Sequence, residues 1–214
     1  MRFFDYDGPF NQFIMKMVDL FLLSILWFIT SIPIITIGAS TDALYFAINK
    51  VIRQEEGGVW KTYWRAFLRD FWQATLIWLI LLLFYGSSLM AYFTMLTKGS
   101  GPVARGFLIA VVLIVTLWTQ YWYPYLSRFV DSTKTLLRNT LIMLLLDFFR
   151  SLKLLILAVL AVAVAVAAFI YSPIMLVLLP GFYVFLANRT MDKVFSKYLP
   201  ESEDGAEDEE REEE

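Results

Sequence analysis

The stretch LWFITSIPIITIGASTDALY, residues 26–45, decides how this chain is interpreted. Its first part completes a hydrophobic helix, which Pro33 kinks or ends because proline has no amide hydrogen to donate. Gly38 suits the position just after a helix, where glycine adopts a positive φ without Cβ strain. Ser40 or Thr41 then caps a second helix by accepting a hydrogen bond from an unpaired amide. These four residues predict a structural corner between two helices.

The composition is that of a membrane protein. Hydrophobic residues make up 59% of the 214 residues and mean hydropathy is +0.62, whereas soluble domains are about 45–50% apolar. Cysteine and histidine do not occur, which removes the thiolate nucleophile, the commonest metal ligand and the usual general base. We therefore expect a protein of the lipid bilayer that is not an enzyme and uses no cofactor, no metal and no nucleic acid.

Five hydrophobic stretches are candidates to cross a membrane, because about 20 apolar residues of helix span the hydrocarbon. The predicted spans are about 14–37, 73–95, 107–126, 152–171 and 174–189. Two amphipathic helices at about 59–72 and 131–149, and a shorter one at about 41–53, are predicted to lie at the cytoplasmic membrane surface. The fold class is therefore all-α, a polytopic helical membrane domain over residues 1–199.

Charge predicts the orientation of these helices. Lys and Arg accumulate in cytoplasmic loops, and the segments 38–70 and 127–153 hold five each, against two in 97–106 and two in the first 16 residues. Five spans then place the N-terminus outside and the C-terminus in the cytoplasm. The first ten residues lack a basic n-region, so we expect no cleaved signal. Residues 201–214 hold ten of the 20 acidic residues, and the tail 200–214 is predicted to be disordered.

Two short patterns recur along the chain and fit a parallel internal repeat. Shared composition of membrane helices explains the same matches almost as well. The recurring pairs are Leu26-Trp27 before Pro33 with Leu117-Trp118 before Pro124, and Asp70-Phe71-Trp72 with Asp147-Phe148-Phe149.

Two groups of residues are candidates for function. The first is an aromatic and basic surface for a partner or for lipid headgroups: Trp60, Lys61, Trp64, Arg65, Phe67, Arg69 and Phe71. The second comprises polar residues within spans, which are functional candidates because they are costly there: Asp19, Thr116 and Gln120. An ion pair of Asp19 with Lys16, one turn away, and helix–helix packing by Thr116 and Gln120 are the simpler explanations, and we favour them.

The chain resembles a known family in its first eighty residues. The segments FFDYDGPF (3–10), SIPIITIGASTDALY (31–45), EEGGVWKTYWRAF (55–67) and DFWQATLIW (70–78) are similar to the YesL family of small bacterial membrane proteins of unknown function. The resemblance implies a setting, since such genes often lie beside carbohydrate ABC importers, two-component regulators and polysaccharide-degrading enzymes. It implies no activity and no site residues.

Three functional hypotheses follow. The leading one is a non-enzymatic accessory protein of carbohydrate uptake or sensing, which acts on an ABC importer or a membrane sensor kinase. The alternative is a small transporter or channel for a polar solute that uses the polar third span around Gln120. A membrane enzyme ranks third, and it requires a cavity that gathers at least two of Asp19, Asp70 and Asp147.

Overall fold

The computed structural model describes residues 9–99, 101–129, 131–171 and 173–198. Within these ranges all regular structure is helical and no strand occurs, which confirms the all-α membrane fold. The predicted acidic tail lies outside the described residues. The α-helices are α1 (Pro9–Ser31), α2 (Ile37–Ala47), α3 (Val59–Arg69), α4 (Phe71–Thr97), α5 (Pro102–Thr119), α6 (Trp122–Leu126), α7 (Thr133–Leu146), α8 (Phe148–Tyr171) and α9 (Pro173–Tyr198).

Among the described residues, four segments are long and apolar enough to cross a membrane: Phe10–Ser31, Phe71–Thr97, Pro102–Leu126 and Phe148–Tyr171. They correspond to the first four predicted spans, although the first ends at Ser31 rather than at 37. The third is broken between α5 and α6. The fifth predicted span lies in α9, a 26-residue helix with Pro180 in its interior, which does not belong to these four.

The helix α2 forms the centre of the molecule, contrary to the prediction that 41–53 lies on the membrane surface. It packs against α1, α3, α4, α6 and α9, and it continues without a break as a π-helix, Ile48–Arg53. The predicted apolar face is buried as expected. The opposite side is covered along α2, where Asp42 is fully buried, whereas Asn49 and Lys50 are half-buried and Arg53 is exposed. The short length and few charges of this helix favour a place at the membrane surface. The sequence does not show that helices distant in the chain pack around it.

Small residues of the opening stretch have a role different from the predicted one. Gly38, Ser40 and Thr41 lie inside α2, whose N-cap is Thr36, and both hydroxyls donate to carbonyls four residues earlier. The capping prediction is therefore wrong. A Cβ at Gly38 would overlap the Ala74 carbonyl oxygen and lie 2.6 Å from the Cβ of Trp78. Glycine is needed here because α2 and α4 cross in direct contact.

The predicted corner itself occurs a few residues earlier. α1 ends at Ser31, and Pro33 precedes a single 3₁₀ turn, Ile34–Thr36, that leads into α2. Pro124, its predicted counterpart, lies within the short helix α6. The two prolines therefore stand in different local structures, and this part of the predicted repeat is not reproduced.

α1 and α2 run side by side in opposite directions. At one end the Trp27 indole donates to Thr41 Oγ1 at 3.2 Å, and at the other end Lys16 Nζ lies 2.6 Å from Glu55 Oε1. The predicted ion pair of Lys16 with Asp19 is thus replaced by one with Glu55. A membrane of about 30 Å cannot separate two residues in contact. The predicted orientation is therefore wrong in one respect: the N-terminus cannot lie outside while Glu55, in the predicted cytoplasmic segment 38–70, lies inside.

The two Asp-Phe-aromatic segments form equivalent corners. Asp70 joins α3 to α4 and Asp147 joins α7 to α8, and each amide donates to the carbonyl four residues earlier, at 3.2 Å and 2.9 Å. Both side chains are buried and each binds a neighbouring arginine, Arg69 or Arg150. At these two corners the two halves of the chain are therefore similar in structure as well as in sequence.

Candidate functional site

A partly open cavity of about 500 Å³ lies between the helices, and one of its lining residues, Val162, is 64% exposed. Small side chains of α8 leave this space, because Ala158, Ala161 and Ala165 recur on one face of that helix. Aromatic rings form much of the remaining wall. Aromatic and polar residues of the wall include Trp27, Thr41, Tyr45, Trp78, Tyr85, Gln120, Tyr123 and Tyr183.

The break between α5 and α6 brings polar groups to this cavity. α5 ends at Thr119, and Gln120 follows at its C-cap, so that its side chain lines the cavity. The Tyr183 hydroxyl of α9 donates to Gln120 Oε1 at 2.8 Å. Tyr123 also lines the cavity, and its hydroxyl has no hydrogen-bond partner in the part of the chain that the structure describes. The cavity therefore has apolar aromatic walls and a small polar region.

The predicted polar residues divide between packing and the cavity. Thr116 bonds the Tyr85 hydroxyl at 3.0 Å and the Val112 carbonyl, so it packs α5 against α4. Gln120 both packs against α9 and faces the cavity, as the transporter hypothesis required. Asp19 is half-buried on α1 and does not line the cavity.

Asp42 and Asp70 are two buried acids whose charges affect each other. Asp42 is fully buried on α2, and its pKa is raised well above the ordinary value, first by burial and then by the charge of Asp70 and a hydrogen bond with it. Asp70 is held by Arg69, whose Nε lies 2.8 Å from Asp70 Oδ2 and whose guanidinium stacks over the Phe46 ring. The predicted surface helix 41–53 contains Asp42, and nothing in the local sequence indicates that this side chain is buried beside Asp70.

An ion-pair cluster centred on Asp192 lies about two helical turns of α9 beyond the cavity residue Val184. Asp192 binds Arg53 of the π-helix and lies 2.7 Å from Arg128 Nη2. Arg128 also donates to Asn188 Oδ1 at 3.2 Å. Burial lowers the pKa of the Arg128 guanidinium, and the charge of Asp192 opposes that shift. This Asp192 cluster joins α9 to both halves of the chain.

The predicted aromatic and basic surface is only partly exposed. Trp60 is 66% exposed and Lys61 and Arg65 are also exposed, but Phe67 is buried in the core. Trp64 and Phe71 are half-buried, and Arg69 is engaged with Asp70. Two residues that the prediction omitted, Leu68 at 69% and Trp72 at 83%, are more exposed than Trp60. The exposed residues of α3 and its corner that are not held by an ion pair are Trp60, Lys61, Arg65, Leu68 and Trp72, called here the α3 surface.

Tyr63 anchors α3 beneath this surface. Its ring is fully buried, and its hydroxyl forms a 2.6 Å hydrogen bond with Thr30 Oγ1 of α1. Burial raises the pKa of Tyr63 to about 12, although its hydrogen bonds with Thr30 and Ser40 act in the opposite direction. The hydroxyl therefore stays protonated and holds α3 against α1 and α2.

The acids required by the enzyme hypothesis are not gathered in the cavity. Asp147 binds Arg150 at 2.8 Å and Lys197 at 3.1 Å, and Asp70 pairs with Asp42 instead. None of Asp19, Asp70 and Asp147 lines the cavity described above. Within the described ranges no group of three or more acidic side chains is placed to hold a metal ion.

Only the first part of the chain matches a family of known sequence. Residues 20–93 match a family model described as "Protein of unknown function, DUF624". The match covers about a third of the 214 residues and runs from α1 into α4, so it contains Asp42 and Asp70 but not Gln120 or Asp192. No curated protein and no solved structure matches the chain.

Proposed function

We propose that this membrane protein is a non-enzymatic carrier that binds a small, uncharged, hydroxylated solute of sugar size in the bundle cavity. The observation that carries the proposal is the cavity itself, with aromatic walls and the polar group of Gln120 and Tyr183. Its volume of about 500 Å³ falls in the usual range for small-molecule sites, about 300–1,000 Å³, which are mostly apolar with a few polar groups.

The chemistry of the lining favours a solute with both apolar and hydroxyl faces. The rings of Trp27 and Trp78 offer flat apolar surface to the C–H face of a sugar ring. The Gln120 amide and the Tyr123 hydroxyl offer hydrogen bonds to its hydroxyl groups. A charged solute fits poorly, because no charged side chain lines the cavity within the described residues.

Solute binding is measured by the change in tryptophan fluorescence of the purified protein in lipid nanodiscs, titrated with monosaccharides and disaccharides. We expect saturable binding, and Gln120→Leu should weaken it about 3- to 10-fold, as loss of one neutral hydrogen bond of about 0.5–1.5 kcal/mol predicts. The matched control is Ser87→Leu, a change on the exposed face of α4. Absence of binding, or equal binding by Gln120→Leu, would contradict the proposal, and uptake into reconstituted vesicles tests transport.

The proposed setting is the bacterial plasma membrane with both termini in the cytoplasm. The contact of Lys16 with Glu55 supports this arrangement, since α1 and the antiparallel α2 form a hairpin that returns the chain, and with it the basic residues from Lys50 onward, to the side of the N-terminus. The basic residues then agree with the positive-inside rule, because Lys16 joins the basic segments 38–70 and 127–153 and the basic end of α9.

A second candidate is the accessory role in carbohydrate uptake or sensing, through contact of the α3 surface with an ABC importer or a membrane sensor kinase. The exposure of Trp60, Leu68 and Trp72 supports it, since exposed aromatics beside basic groups are typical of interfaces. The resemblance to the YesL family suggests the carbohydrate setting. Pull-down from native membranes in mild detergent should recover an importer or sensor subunit, and Trp60→Ala with Trp72→Ala should abolish recovery; recovery of neither class would exclude this role.

A further inference from the structure

A continuous chain of hydrogen bonds and ion pairs runs from the cavity wall along the C-terminal part of α9. Tyr45 lines the cavity, and its carbonyl oxygen accepts a hydrogen bond from the Asn188 amide at 3.4 Å. Asn188 Oδ1 in turn accepts from Arg128 Nη2 at 3.2 Å, and the same nitrogen lies 2.7 Å from Asp192 Oδ1. Asp192 also binds Arg53 of the π-helix. The Asp192 cluster is therefore connected directly to the wall of the cavity.

Buried side chains close the cavity towards this cluster. Ile48 of the π-helix and Asn188 and Met191 of α9 follow the cavity residues along their helices, and all three are fully buried. The Asp192 side chain beyond them is partly exposed, so the aqueous surface begins at the Asp192 cluster. A solute that enters or leaves on this side therefore has to move α9 away from the π-helix.

α9 has a weak point on the opposite side of the cavity residues. Pro180 lies in the interior of the helix, where proline removes one helical hydrogen bond and clashes with the preceding turn, so that bends occur there. The next residue, Gly181, is held against α1, because its amide donates to Ser24 Oγ at 3.2 Å and a Cβ would overlap that oxygen. Gly181 is therefore a fixed pivot, and α9 bends most easily beside it.

The cavity wall lies between this pivot and the Asp192 cluster. Tyr183 and Val184 line the cavity and follow Gly181 closely, whereas Asp192 lies about 16 Å beyond Gly181 at 1.5 Å per residue of helix. A rotation of α9 by about 10° at the pivot moves Asp192 by about 3 Å at that distance. Such a movement breaks the ion pairs of Asp192 while the contact of Gly181 with α1 stays in place.

We propose that the part of α9 from Gly181 to Tyr198 is the gate of the cavity on the cytoplasmic side, hinged at Pro180 and held closed by the Asp192 cluster. The purpose of the gate rests on the proposed carrier function, whereas its opening is a property of the protein without solute. Opening begins at the ion pair with Arg53, because the Arg53 side chain is 29% exposed and that of Arg128 only 14%. Water replaces an exposed ion pair at little cost.

The gate is tested by the reaction of a thiol in the cavity with a charged, membrane-impermeant reagent, applied on the cytoplasmic side of inverted membrane vesicles without solute. Ala161→Cys places this thiol on the cavity wall of the cysteine-free chain. Arg53→Gln should speed its reaction about 2- to 5-fold, as loss of one partly exposed ion pair predicts, and Arg53→Lys, which keeps the charge, should react at the original rate. The matched control is Lys50→Gln, which removes an ion pair of the same π-helix with Glu56 and should leave the rate unchanged.

A second thiol separates opening of the gate from a general loss of stability. Ser40→Cys places a nearly isosteric thiol at a fully buried position of α2 that does not line the cavity, and Arg53→Gln should leave its rate unchanged. If Arg53→Gln does not fold, Asp192→Asn serves as the second variant, since it weakens both ion pairs. Equal rates of Ala161→Cys with Arg53→Gln and with Lys50→Gln, or equal acceleration of Ser40→Cys, would overturn the gate.

Failure of the gate and failure of the carrier function give different results, because sugar binding is measured separately by fluorescence. Sugar binding together with a thiol rate that Arg53→Gln does not change would overturn the gate and leave the carrier function standing. Acceleration by Arg53→Gln without binding of any sugar would overturn the carrier function and support the movement of α9.

Discussion

Substitution of Gly38 by alanine tests whether α2 lies in the core. A Cβ at this position would overlap the Ala74 carbonyl oxygen and lie 2.6 Å from the Cβ of Trp78. Neither obstacle is the end of a flexible side chain, so α2 and α4 have to separate. Overpacking of this kind costs about 1–3 kcal/mol, and the upper end applies because backbone must move. Alanine recovers about 1 kcal/mol of helix propensity over glycine, which leaves a net loss of about 2 kcal/mol.

The chain contains a matched control for this change. Gly86 lies within α4, and a Cβ built there meets nothing within 4 Å. Gly86→Ala should therefore stabilise the protein by up to about 1 kcal/mol, so the two substitutions should differ by about 3 kcal/mol. The assay is reversible unfolding by titration of mixed micelles with a denaturing detergent, followed by circular dichroism. Equal stability of Gly38→Ala and Gly86→Ala would refute the close crossing of α2 and α4, and with it the central position of α2.

Two further predictions concern charge and a third concerns the topology. Asp192→Asn should lower the free energy of unfolding by about 1–3 kcal/mol, because it leaves the largely buried guanidinium of Arg128 without its carboxylate. A decrease of less than about 0.5 kcal/mol in the same unfolding assay would contradict the role of the cluster. Asp42→Asn should raise the melting temperature above that of the wild type, increasingly from pH 5 to pH 7. The reason is that burial raises the pKa of Asp42 in the folded state, so ionisation above its unfolded pKa of about 3.9 favours the unfolded chain; a lower melting temperature at every pH would contradict this. In the cysteine-free chain, Gln12→Cys and Glu56→Cys should react with an impermeant thiol reagent from the same, cytoplasmic side of the membrane, and labelling from opposite sides would contradict the proposed topology.

Long apolar runs made most of the membrane helices predictable. The predicted spans 73–95 and 152–171 lie within α4 and α8, because runs of this length and hydropathy have few alternatives to a membrane helix. The Asp-Phe-aromatic segments also correctly indicated equivalent corners at Asp70 and Asp147. These features depend on local sequence, and local sequence was sufficient to find them.

The burial of α2 depends on helices distant in the chain and was missed. Its length and its charged end favour a surface helix, and only the packing of α1, α4 and α9 around it turns it into a core helix. The complete burial of Asp42 follows from the same packing and has no signal in the local sequence. Gly38 was singled out for the wrong reason, since composition does not distinguish a glycine at a turn from a glycine at a helix crossing.

The cavity was predictable only in part. Gln120 was a candidate because a polar side chain in an apolar helix is unusual. The residues that complete the site come from α8 and α9, where Ala161 and Tyr183 have no distinctive local pattern. Their convergence on Gln120 is a property of the tertiary arrangement, and the same holds for the contact between Lys16 and Glu55.

The most direct measurement of the central claim is thiol accessibility inside the cavity. The chain has no cysteine, so Ala161→Cys places a single thiol on the cavity wall, and Val159→Cys places one on the exposed outer side of the same helix. Reaction with a small water-soluble thiol reagent is followed in lipid nanodiscs, with and without the sugar that binds most tightly. A solute-binding cavity predicts that Ala161→Cys reacts and that the sugar slows its reaction at least several-fold, whereas Val159→Cys is insensitive to the sugar. An Ala161→Cys thiol that does not react, or that reacts equally fast with the sugar present, would contradict the account.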